Sequence, residues 1–186
     1  MTVSYFKRFR MHFDLTQTIP VFEVPDRYQL MAWSDKLINQ HALAKYQSFR
    51  NELDANVFPC LGDYDGCHRL MKDISNSEGF VVEATWLIIF HPSPKGNPVS
   101  CATIQGIRDS TGIGTLQNVG VVPEHRGCGL AKVLLSAALH GFRSRGITTA
   151  SLEVTSENQA ALDLYLKFGF RISKTVFKAV DIVYSP

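Results

Sequence analysis

Arg126, Gly127, Cys128 and Gly129 form a basic, glycine-rich turn, and directly behind it apolar residues begin to repeat at helical spacing. Leu130, Val133, Leu134, Ala137, Ala138 and Phe142 make one face of a helix. Before the turn, Val119, Val121 and Val122 read as the end of a buried strand, which Pro123 terminates because it has no N–H to donate. A strand, a glycine turn and a helix in this order favour an anion. The first N–H groups of the helix are unpaired and carry the positive end of its dipole, and glycine lets a phosphate approach the backbone. Arg126 adds a full charge at the mouth. The chemistry implied is the holding of a pyrophosphate.

Further candidates follow downstream. Ala150, Leu152 and Val154 alternate with Ser151, Glu153 and Thr155, a strand with one apolar and one polar face. Ser156 with Gln159 reads as a capping box, Ala161, Leu164, Tyr165 and Phe168 as the buried stripe of the helix it opens, and Gly169 as its left-handed end. Glu153 therefore sits on a polar strand face and Tyr165 on the next helix. A carboxylate is a residue type that takes a proton and a phenol one that gives it.

Which pyrophosphate is held is decided by spacing. A dinucleotide fingerprint requires Gly-x-Gly-x-x-Gly, and Lys132 stands where the third glycine belongs. No acid stands near Arg145–Thr149, where the ribose-binding carboxylate belongs. The Walker pattern is absent. What fits is the acyl-CoA signature Gln/Arg-x-x-Gly-x-Gly/Ala, filled by Arg126, Gly127, Cys128, Gly129, Leu130 and Ala131. The string L-E-V-x-x-x-N-x-x-A-x-x-L-Y-x-x-x-G-F follows in order. On these two blocks the sequence resembles the GNAT superfamily of acyl-CoA-dependent N-acetyltransferases.

The resemblance implies a single N-acetyltransferase domain over residues 1–186, with an acceptor-side half to about residue 110 and an acyl-CoA-binding core after it. It implies an α/β fold, with a mixed, mainly antiparallel central sheet of about seven strands flanked by about four helices, and an extra N-terminal strand. Acetyl-CoA is the expected co-substrate, with an amine on a small molecule or peptide N-terminus as acceptor and direct transfer in a ternary complex. Val119, Gly120 and Val121 would present backbone groups to the cofactor arm, one N–H serving as oxyanion donor. Gly127, Cys128, Gly129, Leu130, Ala131 and Lys132 would take the pyrophosphate, with Arg126 beside them, and Asn158 would bond the arm. Tyr165 would be the general acid; Glu153 would be the base, by likeness to ribosomal-protein N-terminal acetyltransferases. Asn118 could only orient substrate or water. Each of these residues also has a structural alternative: a core tyrosine, a salt-bridged strand glutamate, a helix-start asparagine. The rival class is a non-catalytic acyl-CoA-binding or sensing module on the same fold, which keeps the turn and has no need of Tyr165 or Glu153.

Composition bounds the rest. The 186 residues suit one domain, and 45% hydrophobic against 19% charged residues describe an ordinary globular chain. A net charge of +2 gives no large basic field, so nucleic acid is not an expected partner. The apolar run Trp86–Phe90 is far short of a membrane span, and residues 1–15 carry no secretory signal, so the expectation is cytoplasmic, with Cys60, Cys67, Cys101 and Cys128 as free thiols. Cys60, Cys67 and His68 match no common zinc spacing, and no metal is expected. The loop Asp63–Gly66 superficially resembles a calcium loop but lacks the closing glutamate.

In order, Arg8–Leu15 alternates strictly and reads as a half-exposed strand at a sheet edge, through which a homodimer would pair. A second strand is expected over Tyr28–Trp33. Ser34 would cap a helix striped by Ile38, Ala42, Tyr46, Phe49 and Leu53. A loop over Asn56–Gly66, a helix through Leu70, Met71 and Ile74, and a central strand over Glu83–His91 follow. Val99–Ile107 pairs with Ile113–Val122 around a turn at Asp109–Gly112, and Phe170–Tyr184 supplies the last strands. Tyr46, Arg50, Asp63 and Asp65 lie in the expected acceptor region, with nothing to select among them.

Overall fold

The computed structural model describes residues 2–182. In chain order it contains β1 (Thr2–Asp14), β2 (Tyr28–Ala32), α1 (Ile38–Phe49), α2 (Leu53–Val57), α3 (Tyr64–Ser75), β3 (Trp86–Phe90), β4 (Val99–Arg108), β5 (Gly114–Val121), α4 (Leu130–Ser144), β6 (Thr149–Thr155), α5 (Gln159–Phe168) and β7 (Arg171–Ile182). The strands form one seven-stranded sheet in the order β2-β3-β4-β5-β6-β1-β7. All neighbours are antiparallel except β5 and β6, which α4 connects as a parallel pair. This is the mixed, mainly antiparallel α/β sheet expected from the sequence, with five α-helices rather than four.

The sheet separates two apolar layers. On one face Ala102 and Ile104 of β4, Met11 and Phe13 of β1 and Leu152 of β6 pack with Leu134, Ala138 and Phe142 of α4 and Phe168 of α5. Fully burying one such side chain stabilises by roughly 1.5–3 kcal/mol. On the other face a smaller cluster joins Ala42 of α1 to Cys67 and Met71 of α3. Between this cluster and the sheet lies a buried polar chain. The His41 Nδ1 lies 2.8 Å from Thr103 Oγ1, Gln105 donates to that same oxygen at 2.6 Å, and Asn118 donates to Gln105 at 3.2 Å. Lys45, one helical turn from His41, is fully buried and donates to the Met71 sulfur at 3.1 Å.

Several expectations are corrected. The β1 strand is interior, paired with β6 through Arg8–Asp14 and with β7 through Thr2–His12, so Phe9–Leu15 offers no free edge for a homodimer. The strand Trp86–Phe90 lies one in from the β2 edge rather than at the centre. The first helix ends at Phe49, and a separate short α2 fills part of what reads as loop in the sequence. Ser34 makes no side-chain cap. Asp63 is the N-cap of α3, accepting from Asp65 and Gly66 backbone N–H groups, which accounts for the calcium-like spacing. The last strands are one long strand, and Tyr184 lies outside the described residues. No helix among the described residues is long and apolar enough to cross a membrane.

Candidate active site

The β5 and β6 strands pair only at Gly114↔Ala150 and Thr115↔Ser151 and then separate. The cause is visible in β5. Its register with β4 slips between Gln117 and Gly120, and Asn118 takes a left-handed conformation with φ 51°. A bulge of this kind bends the strand and re-aims its backbone groups. Beyond Thr115 the β6-facing edge of β5 has no ladder partner, so its polar groups open into the gap.

Two clefts occupy that gap. The first, about 470 Å³, is lined by Thr115, Gln117 and Asn118 of β5, by Ser151 and Glu153 of β6, by Arg8, Arg10 and His12 of β1, and by Phe58, Cys60, Leu61 and Leu70. The second, about 480 Å³, is lined by Val119, Gly120 and Val121, by the turn and first helical residues Arg126, Gly127, Gly129, Leu130, Ala131 and Lys132, and by Asn158. Asn118 lines one cleft and Val119 the other, so they meet at the bulge.

The turn is built as an anion cradle. Gly127 and Gly129 both have φ of 80°, which a side chain would strain, and nothing stands within 4 Å of where their Cβ atoms would be. Among the described residues no acceptor takes the N–H groups of Gly127, Cys128, Gly129, Leu130 or Ala131. These orphan donors, at the positive end of the fifteen-residue α4, fit a pyrophosphate. Arg126 departs from expectation. Its half-exposed guanidinium lines the second cleft but is held by protein, donating to Val121 O at 3.0 Å and Ser48 O at 3.1 Å and pairing with Glu52 at 2.7 Å. Its charge is therefore balanced by protein, and it braces the cleft wall. Cys128 does not line the cleft, its thiol lying 3.7 Å from Tyr28 Oη. Lys132 keeps its ammonium over the Phe22 ring, 5.6 Å from the centroid.

The α5 stripe is rotated from the sequence reading. Leu162, Tyr165 and Phe168 are buried, whereas Ala161 and Leu164 face the second cleft. Asn158, not Ser156, caps the helix, its Oδ1 accepting the Ala161 N–H at 3.2 Å while Nδ2 reaches Asp54 at 3.5 Å. The Ser156 hydroxyl instead bonds the neighbouring Glu157. Tyr165 is 7% exposed and lies on the wall of neither cleft. Burial, reinforced by the charge of Asp54 and opposed by Arg8, pushes its phenol well above the usual tyrosine range.

Glu153 faces the first cleft but is clamped. Arg10 donates to its Oε1 at 2.8 and 3.1 Å, and Arg8 Nε stands 3.6 Å from Oε2. The residues that the sequence did not single out are Ser48, Glu52, Asp54 and His125, which complete the second cleft, and Arg8, which joins the two sites. Arg8 is 6% exposed, bonds Thr155 at 2.8 Å and lies 3.8 Å from Asp54. Burial raises the Asp54 carboxyl, with Arg8 opposing. In the sequence Arg8 is one more polar residue of an alternating strand, and the α1–α2 wall depends on chain crossings with no local signature. Of Tyr46, Arg50, Asp63 and Asp65, none lines the first cleft, since Arg50 stacks on Tyr46 and Asp63 caps α3. No group of histidine, cysteine and carboxylate side chains suited to a metal occurs among the described residues.

Comparison with known proteins places this geometry. Residues 40–170 match the model of the acetyltransferase (GNAT) family. A mycothiol acetyltransferase of Kytococcus sedentarius is 37% identical over 78 residues, covering 42% of this chain and 25% of that protein. The chain thus spans about a quarter of the length of the curated relatives it matches. A GCN5-related N-acetyltransferase from Sphaerobacter thermophilus superposes with a TM-score of 0.68 at 20% identity, covering 94% of this chain and 51% of that one. The aminoglycoside N-acetyltransferase AAC(6')-Iy in complex with CoA superposes with a TM-score of 0.61 at 13% identity, covering 89% and 99% of the two chains.

Proposed function

We propose, from the premise that the chain belongs to the acetyltransferase (GNAT) family, that it is an acetyl-CoA-dependent N-acetyltransferase working by direct transfer in a ternary complex. The observation that carries this reading is the pair of clefts meeting at the β5 bulge, the second ending in a cradle of orphan N–H groups and the first open to an acceptor. The thioester supplies an activated acetyl group to a neutral amine, and positioning the two partners contributes much of the rate.

The chain's residues divide the remaining work. Gly127 to Lys132 hold the pyrophosphate, Val119 to Val121 and Asn158 border the cofactor arm, and a backbone N–H of β5 beside the bulge donates to the carbonyl oxygen as charge develops there. The Val121 carbonyl is already taken by Arg126, so the Val119 groups and the Val121 N–H carry the open part of that edge. Tyr165 is the proton donor to the departing thiolate: its raised phenol stays protonated throughout the neutral range, and since it lies behind the cleft wall the transfer requires α5 to shift towards the cofactor arm. Glu153 is tied to Arg10 by two hydrogen bonds and stands 3.6 Å from Arg8, so its part is to hold those two arginines in place. Asp54, raised by burial and lining the second cleft, is the proton acceptor.

A panel of primary amines with acetyl-CoA, followed by release of free thiol, tests the reading. Wild-type turnover of at least one amine, with Asp54→Asn losing more kcat than Glu153→Gln, supports it. Acetyl-CoA binding without turnover of any amine assigns the chain to the non-catalytic class. A mycothiol precursor and an aminoglycoside belong in the panel because relatives and structural neighbours carry those names.

A further inference from the structure

The cleft read above as the acceptor site is basic along its open wall. Arg8, Arg10 and His12 of β1 line it. Directly opposed residues of an antiparallel pair share a face, and the β1–β7 register sets Lys174 opposite Arg10, Arg171 opposite His12 and Lys178 opposite Phe6. The basic row therefore continues across β7. Lys178 marks the side, its Nζ lying 5.2 Å from the ring centroid of Phe58, a residue of the cleft. Arg171, Lys174 and Lys178 are exposed, and none is ion-paired among the described residues.

The two carboxylates lining the same cleft are already engaged. Glu153 takes Arg10 and Arg8 as described. Asp109 accepts Thr111 Oγ1 at 2.6 Å, Thr111 N at 2.9 Å and Ile113 N at 3.0 Å, and these bonds, the threonine hydroxyl foremost, hold its carboxyl below the usual range. Within the cleft Arg8 and Arg10 balance Glu153 and Asp109, so the uncompensated charge is the β7 row of Arg171, Lys174 and Lys178, and a surplus of one sign at a cleft rim concentrates ligands of the other.

On the reading that this cleft takes the acceptor, we propose that the acceptor amine carries an anionic group, a carboxylate or a phosphate, which docks on the rim formed by Arg171, Lys174 and Lys178 of β7. The same field disfavours the ammonium form of the incoming amine and so presents it neutral for attack. A polyamine is repelled.

The test uses matched probes at constant ionic strength: glycyl-leucine against its C-terminal amide, phosphoethanolamine against ethanolamine, and spermidine. Thiol release is measured with acetyl-CoA, and binding of each probe to the CoA-saturated protein by calorimetry. The expected result is at least a tenfold advantage in kcat/KM or affinity for the anionic member of a pair. In a variant combining Arg171→Glu and Lys174→Glu the advantage disappears while acetyl-CoA affinity is unchanged. The dipeptide and phosphate arms show which anion the rim takes. Equal handling of both members of each pair, retention of the preference in the variant, or preference for spermidine overturns the inference. Selective binding of anionic probes without turnover upholds the rim and overturns only the reading of the chain as a transferase.

Discussion

Tyr165 and Asp54 illustrate how burial sets chemistry at a single residue. Because the Tyr165 phenol is pushed up, it stays a donor at every working pH, and Tyr165→Phe is expected to lower kcat by about 100-fold with acetyl-CoA affinity unchanged. A purely structural tyrosine would instead lower thermal stability and leave kcat within a factor of a few, so single-turnover kinetics and melting distinguish the two. Lys45 gives a prediction about stability. Burial lowers its pKa from the ordinary 10.5 to about 7. Between those values the unfolded chain binds the proton and the folded chain does not, so stability rises with pH across that window and the deficit is complete below about 7. Lys45→Met is therefore expected to raise the melting temperature at pH 7, with the gain shrinking towards pH 10. A gain that does not change with pH would show that packing alone is responsible.

At the scale of elements, the turn before α4 and the bulge in β5 matter most, and they differ in how much the sequence reveals. The turn is legible because its requirement is local. Two glycines at φ 80° in front of an apolar helical stripe leave few alternatives. Substituting both Gly127 and Gly129 with alanine strains the backbone by about 1–2 kcal/mol at each position. The variant is expected to weaken acetyl-CoA binding at least tenfold while the far-ultraviolet spectrum is retained. Arg126 was legible as a charge but not as a brace, because its partners Ser48 and Glu52 come from α1 and the segment after it. The bulge has no sequence signature beyond Asn118, a residue type that tolerates the left-handed region. Gly120 shows the same limit. A Cβ there would meet Phe49 at 2.8 Å and Ser48 at 2.9 Å, so the glycine is needed for the close approach of α1 to β5. Gly120→Val is expected to displace α1 and to lower both melting temperature and cofactor affinity.

For the whole molecule, the alternating pattern of β1 specifies a strand but not its place in the sheet, which is interior. Half-exposure resembles an edge in one dimension, but here one face of an interior strand lines a cleft: Met11 and Phe13 are buried on α5's side while Arg8, Arg10 and His12 face the first cleft. The acyl-CoA half was legible because consecutive segments build it; the acceptor half was not, because β1, β7 and the chain around Phe58 meet only through the sheet order. The same arrangement makes the cofactor site the firmest support for the account and the acceptor its sharpest prediction. The most direct measurement is calorimetric titration of acetyl-CoA into the wild type and into the Gly127→Ala, Gly129→Ala variant. Micromolar binding that weakens at least tenfold in the variant, about 1.4 kcal/mol, is the predicted result. No binding by the wild type, or binding that the two substitutions leave unchanged, would contradict it.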